Sequence, residues 1–338
     1  MRHFLTTIAF ALGLTGFAAS GFAATQYPLT INNCGQQVTF QKTPSKIVSI
    51  GQGMTEILFS LGLADKIAGT AVWVGPVLPK YAKADSKIAR LADNDPSFES
   101  VAGKEPDFVA AEFEWHIGRQ GAVGKREQFS ELGINTYIAP TDCVAKINAG
   151  GGDGVRKELF TMDLVYQEID ELAEIFDVRD RGDALVADLK KREADAVASI
   201  AGAKAKGLPI VFWFSSKEVS GDAYIAGKNS APAYILKTLG AKNVVTTEEE
   251  WPLVGWETIA QANPAVIVIA TMDRRRYAAD DPKVKLDFLQ KDPVTSQLDA
   301  VKNGHFVMMD AQSMNPTIRT IDGIEILAKG IKSFGLAQ

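Results

Sequence analysis

The stretch "KIVSIGQGMTEILFSLGLADKIAGT", residues 46–70, decides the fold class of this chain. Its apolar run at 47–50 predicts a buried strand, and the residues that follow have the period of a helix ending at Leu61-Gly62. Glycine at such a position is typical of a left-handed helix stop. Because a second strand-like run follows at 66–71, the stretch predicts a strand–helix–strand unit of a parallel sheet.

The same alternation continues along the chain and predicts an α/β fold. Strands separated by helical sequence are predicted at 47–50, 66–71, 108–112, 134–138, 209–214, 266–270 and 306–309.

Two segments recur in similar form. "SFESVAGKEPDFVAA" (97–111) matches "GWETIAQANPAVIVI" (255–269) in its pattern, and "ILFSLGLADKIAG" (57–69) resembles "ILKTLGAKNVVTT" (235–247). The repeats predict two similar, Rossmann-like α/β lobes.

The predicted lobes cover residues 25–176 and 204–338. Residues 177–203 between them contain no proline and are rich in Ala, Lys, Glu and Leu, which predicts one long, stiff helix joining the lobes. The alternative is an ordinary surface helix within one lobe.

The first 24 residues have the layout of a signal peptide. Arg2 and His3 precede a mostly apolar stretch at 4–17, and small residues at 18–24 offer cleavage positions, of which the bond after Ala23 is favoured. We therefore expect an exported, periplasmic protein, with no lipid anchor because no cysteine lies near the cut.

Composition excludes some partners. The formal net charge is −5, with 36 basic and 41 acidic residues and no long block of like charge, so nucleic acid is not an expected partner. We expect a monomer.

The chain has two cysteines, Cys34 and Cys143. In an oxidising compartment such a pair predicts a disulfide, which would fasten segment 27–40 to the first lobe. Two buried, unreactive thiols are the alternative.

The glycines after the first predicted strand do not indicate a nucleotide site. A dinucleotide loop needs a third glycine where this chain has Glu56, and a carboxylate there would face the pyrophosphate. The lysine and hydroxyl of a P-loop are also missing from the sequence.

With these features the chain resembles the periplasmic substrate-binding proteins of ferric-siderophore and cobalamin ABC importers. The resemblance is carried by "PSKIVSIGQGMTEILFSLGLADKIAGT", by Glu99 with Pro106-Asp107, by the long central helix and by the closing "IDGIEILAKGIKSF". It implies capture of a small-molecule chelate between the lobes and its delivery to an ABC permease. The early "NNCG" with a later cysteine is similar to a branch of the family that has one disulfide.

The resemblance further implies that Glu56 lies on an exposed lobe tip and pairs with permease arginines. The alternative is a solvated carboxylate at a helix start. The internal repeat maps Glu56 onto Tyr234, so a second docking carboxylate is missing there. Substitutes are available nearby, at Glu248, Glu249 and Glu250.

Ligand-binding candidates are the residues just beyond predicted strand ends, where open α/β lobes bind ligands. Aromatic and guanidinium groups in these places suit a bulky, anionic chelate, with a ferric siderophore favoured over cobalamin or haem. The candidates are Trp73, Trp115, Arg119, Trp213, Arg274, Arg275, Arg276 and Tyr277. Trp213 fits the core equally well, and the arginines could instead be a solvated loop paired with nearby aspartates.

A free-metal receptor and an enzyme are weaker alternatives. Beyond the signal peptide the only histidines are His116 and His305, one in each predicted lobe, so no metal-ligand cluster is expected. Common hydrolase and redox motifs are missing from the sequence, and Glu112 with Glu114 is the one conceivable acid/base pair. We expect no enzymatic activity and no resident cofactor.

Overall fold

The computed structural model describes residues 24–149, 153–200 and 205–336. The predicted signal peptide lies outside the described residues except for Ala24, and so does the end of the predicted linking helix at 201–203. Within the described ranges, no helix is both long enough and apolar enough to cross a bilayer.

The first lobe is the part of the chain before Arg179, and it is built on a parallel sheet in the order β5-β4-β3-β6-β7. Strands β3 and β6 are buried at every position, as expected for parallel strands covered on both faces. The strands of this sheet are β3 (Ile47–Ile50), β4 (Ile67–Ala71), β5 (Arg90–Ala92), β6 (Phe108–Ala111) and β7 (Asn135–Ile138). Before them, β1 (Leu29–Asn33) and β2 (Gln36–Phe40) form a separate hairpin. After them comes the small pair β8 (Lys146–Ile147) and β9 (Val155–Arg156). The helices are α1 (Gln52–Ser60), α2 (Ala82–Asp85), α3 (Phe98–Ala102), α4 (Glu114–Ile117), α5 (Arg126–Glu131) and α6 (Met162–Ile175).

Helix α7 (Arg179–Ser199) follows, so the chain passes from the first sheet to the second through the stretch predicted to link the lobes. Only a narrow face of α7 is buried, at Gly182, Leu189 and Ala196. Gly182 allows close approach to α6, since a Cβ there would lie 2.7 Å from the Cβ of Ala173. On its other side, Arg192 of α7 pairs with the last helix of the chain.

The second lobe, after α7, has the sheet order β13-β11-β10-β14-β15, with β12 also paired to β10. Its strands are β10 (Pro209–Ser216), β11 (Ala223–Ile225), β12 (Lys242–Asn243), β13 (Leu253–Val254), β14 (Val266–Thr271) and β15 (Phe306–Asp310). Its helices are α8 (Ala231–Leu239), α9 (Trp256–Ala262), α10 (Pro282–Lys291), α11 (Asp299–Lys302) and α12 (Thr320–Ser333). Short 3-10 turns occur at Ala64–Lys66, Pro79–Tyr81, Pro140–Asp142, Ala278–Asp280, Thr295–Gln297 and Ala311–Met314.

The α/β class and the two-lobe architecture predicted from the sequence are confirmed, and each predicted strand is present. The sequence patterns missed β1, β2, β5 and the short strands β8, β9 and β11–β13. One of these, β11, runs antiparallel to β10 and β13, so the second sheet departs from the purely parallel arrangement. Strands of two or three residues are too short to show a period.

The apolar core is continuous between the lobes. One buried cluster includes Ile57 and Phe108 of the first lobe together with Ile235 and Val268 of the second, and α6, α7 and α12 contribute to it. Each sheet also has a smaller cluster on its other face. The two lobes therefore share a core through the helices between them.

Candidate functional site

A cavity of about 300 Å³ lies between the two lobes, beyond the carboxyl ends of the sheet strands. Both lobes contribute aromatic, apolar and charged side chains to its wall. Its lining residues are Val72, Val74, Phe113, Trp115, Lys146, Asp153, Phe214, Ser215, Tyr224, Glu250, Trp251, Met272, Arg274, Arg276, Tyr277, Asp280, Gln312, Asn315 and Pro316. This is where open α/β folds bind ligands.

Aromatic pairs face the cavity from each lobe. Phe113 follows β6 and stacks on Trp115 of α4, with ring centroids 4.4 Å apart and planes 9° apart. Phe214 of β10 packs against Trp251, with centroids 4.7 Å apart. The wall therefore offers flat apolar surfaces from opposite lobes to a ligand.

Most of the charges in the wall already have protein partners. The ammonium of Lys146 lies 2.7 Å from Glu250 and also pairs with Asp142. Asp280 accepts hydrogen bonds from the Ser215 hydroxyl at 2.7 Å and from the Ser216 N–H at 3.2 Å.

The arginines of the predicted triplet have different neighbours. Arg274 donates to the Asn94 side chain across the lobe boundary, and Arg275 pairs with Asp281 at 2.7 Å. Arg276 is exposed, and within the described parts of the chain no carboxylate lies at ion-pair distance from it. Arg274, which is bonded to a neutral amide, and Arg276 are therefore the two cavity cations without a carboxylate partner among the described residues.

The structure brings together half of the predicted ligand-binding residues. Trp115, Arg274, Arg276 and Tyr277 line the cavity. What each contacts in a complex stays a prediction.

The other predicted residues lie elsewhere. Trp73 is turned away from the cavity and packs under Arg90, whose guanidinium carbon is 3.3 Å from the ring centroid. Trp213 is fully buried against Trp256 in the core of the second lobe, with centroids 4.6 Å apart. Arg119 is exposed outside the cavity, and Arg275 points to Asp281. These four placements in the cleft were wrong, because the position of a residue after a strand does not determine the direction of its side chain.

Several cavity residues escaped the sequence reasoning, among them Phe113, Phe214, Tyr224, Trp251 and Met272. The sequence signal that could have identified Phe214 was the alternation of side chains between the two faces of a strand. On β10, Trp213 faces the core, so its neighbour Phe214 faces the opposite way, toward the cavity.

The prediction that Glu56 lies on an exposed tip is wrong. Its side chain is fully buried and forms a two-pronged ion pair with Arg319 of the second lobe, in which Arg319 Nε donates to Glu56 Oε2 at 2.7 Å. Burial raises the pKa of Glu56, and the hydrogen bonds from Arg319 oppose that rise. Of the proposed substitutes, Glu250 is also buried, Glu249 is exposed, and the half-buried Glu248 pairs with Lys157 and Lys228.

Glu112 explains the two glycines at the start of α1. Its carboxylate accepts a hydrogen bond from the Gly53 N–H at 2.7 Å, at the point where the strand order of the first sheet reverses. Gly51 has φ 124°, and a Cβ there would lie 2.2 Å from the Cβ of Glu112. Burial raises the pKa of Glu112 to about 7. An internal carboxyl group thus occupies the position where a nucleotide-binding fold would hold phosphate.

Glu112 and Glu114 do not form an acid/base pair across one strand face. Glu112 is buried under α1, whereas Glu114 starts α4 and accepts a hydrogen bond from Asn148 at 2.6 Å. The strand ends at Ala111, so alternation along it does not extend to Glu114.

The histidines have separate structural contacts. His116 is buried with Nε2 at 3.0 Å from Asp95, and His305 Nδ1 lies 3.1 Å from the Ala265 carbonyl. Within the part of the chain that the structure describes, no group of three or more His, Cys, Asp or Glu side chains could hold a metal ion.

The predicted disulfide between Cys34 and Cys143 is confirmed. It connects the turn of the β1–β2 hairpin to the segment that follows β7, closing a loop between residues 109 apart in sequence.

These observations define an α/β binding protein with a ligand cavity between two lobes. The chain belongs to the periplasmic binding protein family, whose model matches residues 47–313. It is an ABC-type substrate-binding protein, and its class implies a small-molecule ligand and a permease partner.

Individual relatives agree with this class. The chain is 27% identical over 307 residues, 90% of its length and 86% of the relative's, to the uncharacterized ABC transporter substrate-binding lipoprotein YvrC of Bacillus subtilis. Among solved structures, a periplasmic binding protein from Veillonella parvula is 24% identical with a TM-score of 0.75, covering 93% of this chain and 99% of that one. An ABC-type Fe³⁺-hydroxamate transport protein from Saccharomonospora viridis is 26% identical with a TM-score of 0.71, covering 90% and 99%. A periplasmic heme-binding protein from Pseudomonas aeruginosa shares the fold at 19% identity and a TM-score of 0.66, covering 87% and 94%.

Proposed function

We propose that the protein is exported to the periplasm as a monomer, captures a compact ferric chelate of low net charge, and delivers it to an ABC permease. The observation that supports this ligand class is the combination of facing aromatic pairs with a nearly balanced set of wall charges. Lys146, Arg274 and Arg276 are matched in number by Asp153, Glu250 and Asp280.

The charge balance changes the ligand expected from the sequence. A strongly anionic chelate, such as a ferric tris-catecholate, would need several uncompensated cations, because burying unpaired charge is costly. Lys146 is already paired with Asp142 and Glu250, which leaves Arg274 and Arg276 as the positive groups, and these are matched in number by Asp153 and Asp280 of the same wall. Ferric hydroxamate chelates carry little or no net charge, and one structural relative is described as an Fe³⁺-hydroxamate transport protein.

The cavity volume points the same way. At about 300 Å³ it lies at the lower end of the range for small-molecule sites, roughly 300 to 1,000 Å³. A bulky corrinoid would require the lobes to move apart, so cobalamin is disfavoured.

Haem is the second candidate. Tyr224 and Tyr277 both line the cavity, and a tyrosine oxygen can ligate haem iron. The aromatic pairs also suit a flat macrocycle, and heme-binding proteins are among the structural relatives.

Ligand binding is testable by thermal shift of the exported chain. We expect a rise in unfolding temperature with a ferric trihydroxamate, because a ligand that binds only the folded state adds about 2.7 kcal/mol at a hundredfold excess over its dissociation constant. Haemin, cyanocobalamin, a ferric tris-catecholate, Zn²⁺ and Mn²⁺ are tested in parallel. A shift with haemin alone would select the second candidate, and a shift with free metal alone would contradict both.

A matched pair of variants localises the binding. Trp115→Ala removes an aromatic wall of the cavity and should weaken binding about tenfold or more, since burying a large aromatic side chain is worth roughly 1.5–3 kcal/mol. Arg119→Ala, at an exposed position just beyond the same helix, should leave affinity unchanged. Equal affinities of the two variants would place the ligand outside this cavity.

A further inference from the structure

Main-chain and side-chain contacts both join the two lobes around the cavity. Near β9, the first lobe is joined to residues 248–250 by main-chain hydrogen bonds, from Arg156 N–H to the Glu248 carbonyl and from Glu250 N–H to the Gly154 carbonyl, both 2.9 Å. Val155 and Glu249 also form a β-bridge. Residues 153–156 and 248–250 thus form one main-chain junction between the lobes. The Val74 carbonyl forms a second one, since it accepts from Asp273 N–H at 2.9 Å and from Arg274 N–H at 3.1 Å.

A buried side-chain contact also joins the lobes. Arg319, at the start of α12, reaches Glu56 of α1 and also donates to the Pro76 carbonyl of the first lobe at 2.7 Å. Its remaining arm donates to Asp310 of its own lobe at 3.1 Å, and Leu78 N–H donates to Glu56 at 3.1 Å. Glu56 is fully buried and Arg319 is 5% exposed.

We propose that Glu56 and Arg319 form a latch across the boundary between the two lobes, and that this buried ion pair controls how readily the cavity opens. The proposal does not depend on the ligand suggested above, because opening is measured without one.

The latch acts through desolvation. In the closed arrangement each charge is buried and is compensated mainly by the other. If one is replaced by a neutral side chain, the remaining charge is unpaired when buried but hydrated when the lobes separate. A single replacement therefore favours the open arrangement, whereas replacing both removes the buried charge and restores closure.

A steric contact between the lobes, close to Glu56 on α1, offers a second and independent test of the latch. Gly53 of α1 faces Thr317 of the second lobe, and a Cβ at position 53 would lie 2.5 Å from the Thr317 methyl carbon. The Thr317 hydroxyl donates to the Gln312 carbonyl at 3.0 Å, so serine at 317 would keep that hydrogen bond and lose only the methyl group.

The experiment measures the distance between spin labels on the two lobes, at Lys83→Cys and Lys302→Cys, with the native disulfide kept oxidised. Both positions are exposed. We expect one dominant short distance in the otherwise unchanged chain. Arg319→Met should shift the ratio of open to closed molecules at least about tenfold toward open, and Glu56→Gln combined with Arg319→Met should reverse most of that shift.

Arg192→Met is the matched control. Arg192 pairs with Asp322 and Glu325 of α12 rather than across the cavity, so its loss should not change the distance distribution. Arg319→Met and the double variant giving the same distances as the unchanged chain would overturn the proposal.

Gly53→Ala tests the latch even if Arg319→Met fails to fold. We expect Gly53→Ala to lengthen the distance between the labels, and Thr317→Ser in the same chain to shorten it again. If Gly53→Ala leaves the lobes closed, the lobes do not open at this contact and the latch is excluded.

Discussion

Glu112 is a carboxylic acid enclosed between the first sheet, α1 and the second-lobe residue Thr317. Burial is the main reason that its pKa rises to about 7, and the nearby Glu56 and Asp142 add to the rise, while the Gly53 N–H opposes it. Its Oε1 has no hydrogen-bond partner among the described residues. A carboxyl group in this setting is easier to keep in its neutral form.

This residue predicts a pH-dependent stability. Unfolding returns Glu112 to its ordinary pKa of about 4.5. Between about pH 4.5 and 7 the folded state therefore holds a proton that the unfolded state releases. Its contribution is fully present below pH 4.5 and decreases as the pH rises to about 7, by up to about 3 kcal/mol.

Glu112→Gln should remove that decrease, making the variant more stable than the unchanged chain at pH 8 but not at pH 4.5. Urea unfolding at several pH values measures the effect. Glu131→Gln, at an exposed position, serves as the control. Parallel pH profiles for Glu112→Gln and the unchanged chain would show that Glu112 titrates normally.

At the scale of single elements, the β1–β2 hairpin shows how a short segment is attached to a sheet edge. The buried Asn33 side chain donates to the Ile138 carbonyl and accepts from the Ile138 N–H, both at 2.8 Å, and so imitates a strand partner for β7. Arg126 of α5 donates to the Asn33 carbonyl at 2.9 Å. Cys34 then links the hairpin turn to Cys143.

Removing that disulfide should cost about 2–4 kcal/mol of unfolding free energy, because the bridge restricts a long loop in the unfolded chain. Cys34→Ala with Cys143→Ala tests this in urea, and dithiothreitol should lower the stability of the unchanged chain but not of the variant. We expect amide exchange to rise mainly in residues 29–40. Identical unfolding curves for the two chains would contradict a structural role for the bridge.

At the scale of the whole molecule, the continuous core determines how the lobes depend on each other. The cluster that includes Ile57, Phe108, Ile235 and Val268 extends through both lobes by way of the helices between them. Separately folding lobes would instead have a mainly polar contact.

The shared core predicts one cooperative unfolding transition, whereas proteins with two separate domains often show two transitions. Amide exchange at the buried strands β10 and β14 reports on the second lobe, whereas amide exchange at β3 and β6 reports on the first. We expect both to give the same midpoint in urea. Midpoints that differ beyond error would mean that the lobes unfold independently.

The order of strands and helices was predictable because it depends on local patterns. The runs at 47–50 and 108–112 are apolar on both faces, and Gly240 ends α8 in the left-handed conformation that a Leu-Gly stop implies. The disulfide was also predictable, since the two cysteines of a chain with a predicted signal peptide can pair in only one way. The direction of each aromatic side chain was harder, as Trp213 and Phe214 show.

By itself, then, the sequence determined the α/β class, the two-lobe organisation and the disulfide, because these follow from periodicity and composition. Only the tertiary structure decided which side chains face the cavity and which pair across it. Glu56 and Arg319 are 263 residues apart, and the Glu56 carboxylate is buried only because folding brings Arg319 to it. Burial and pairing of charge depend on such distant contacts, which no local pattern records.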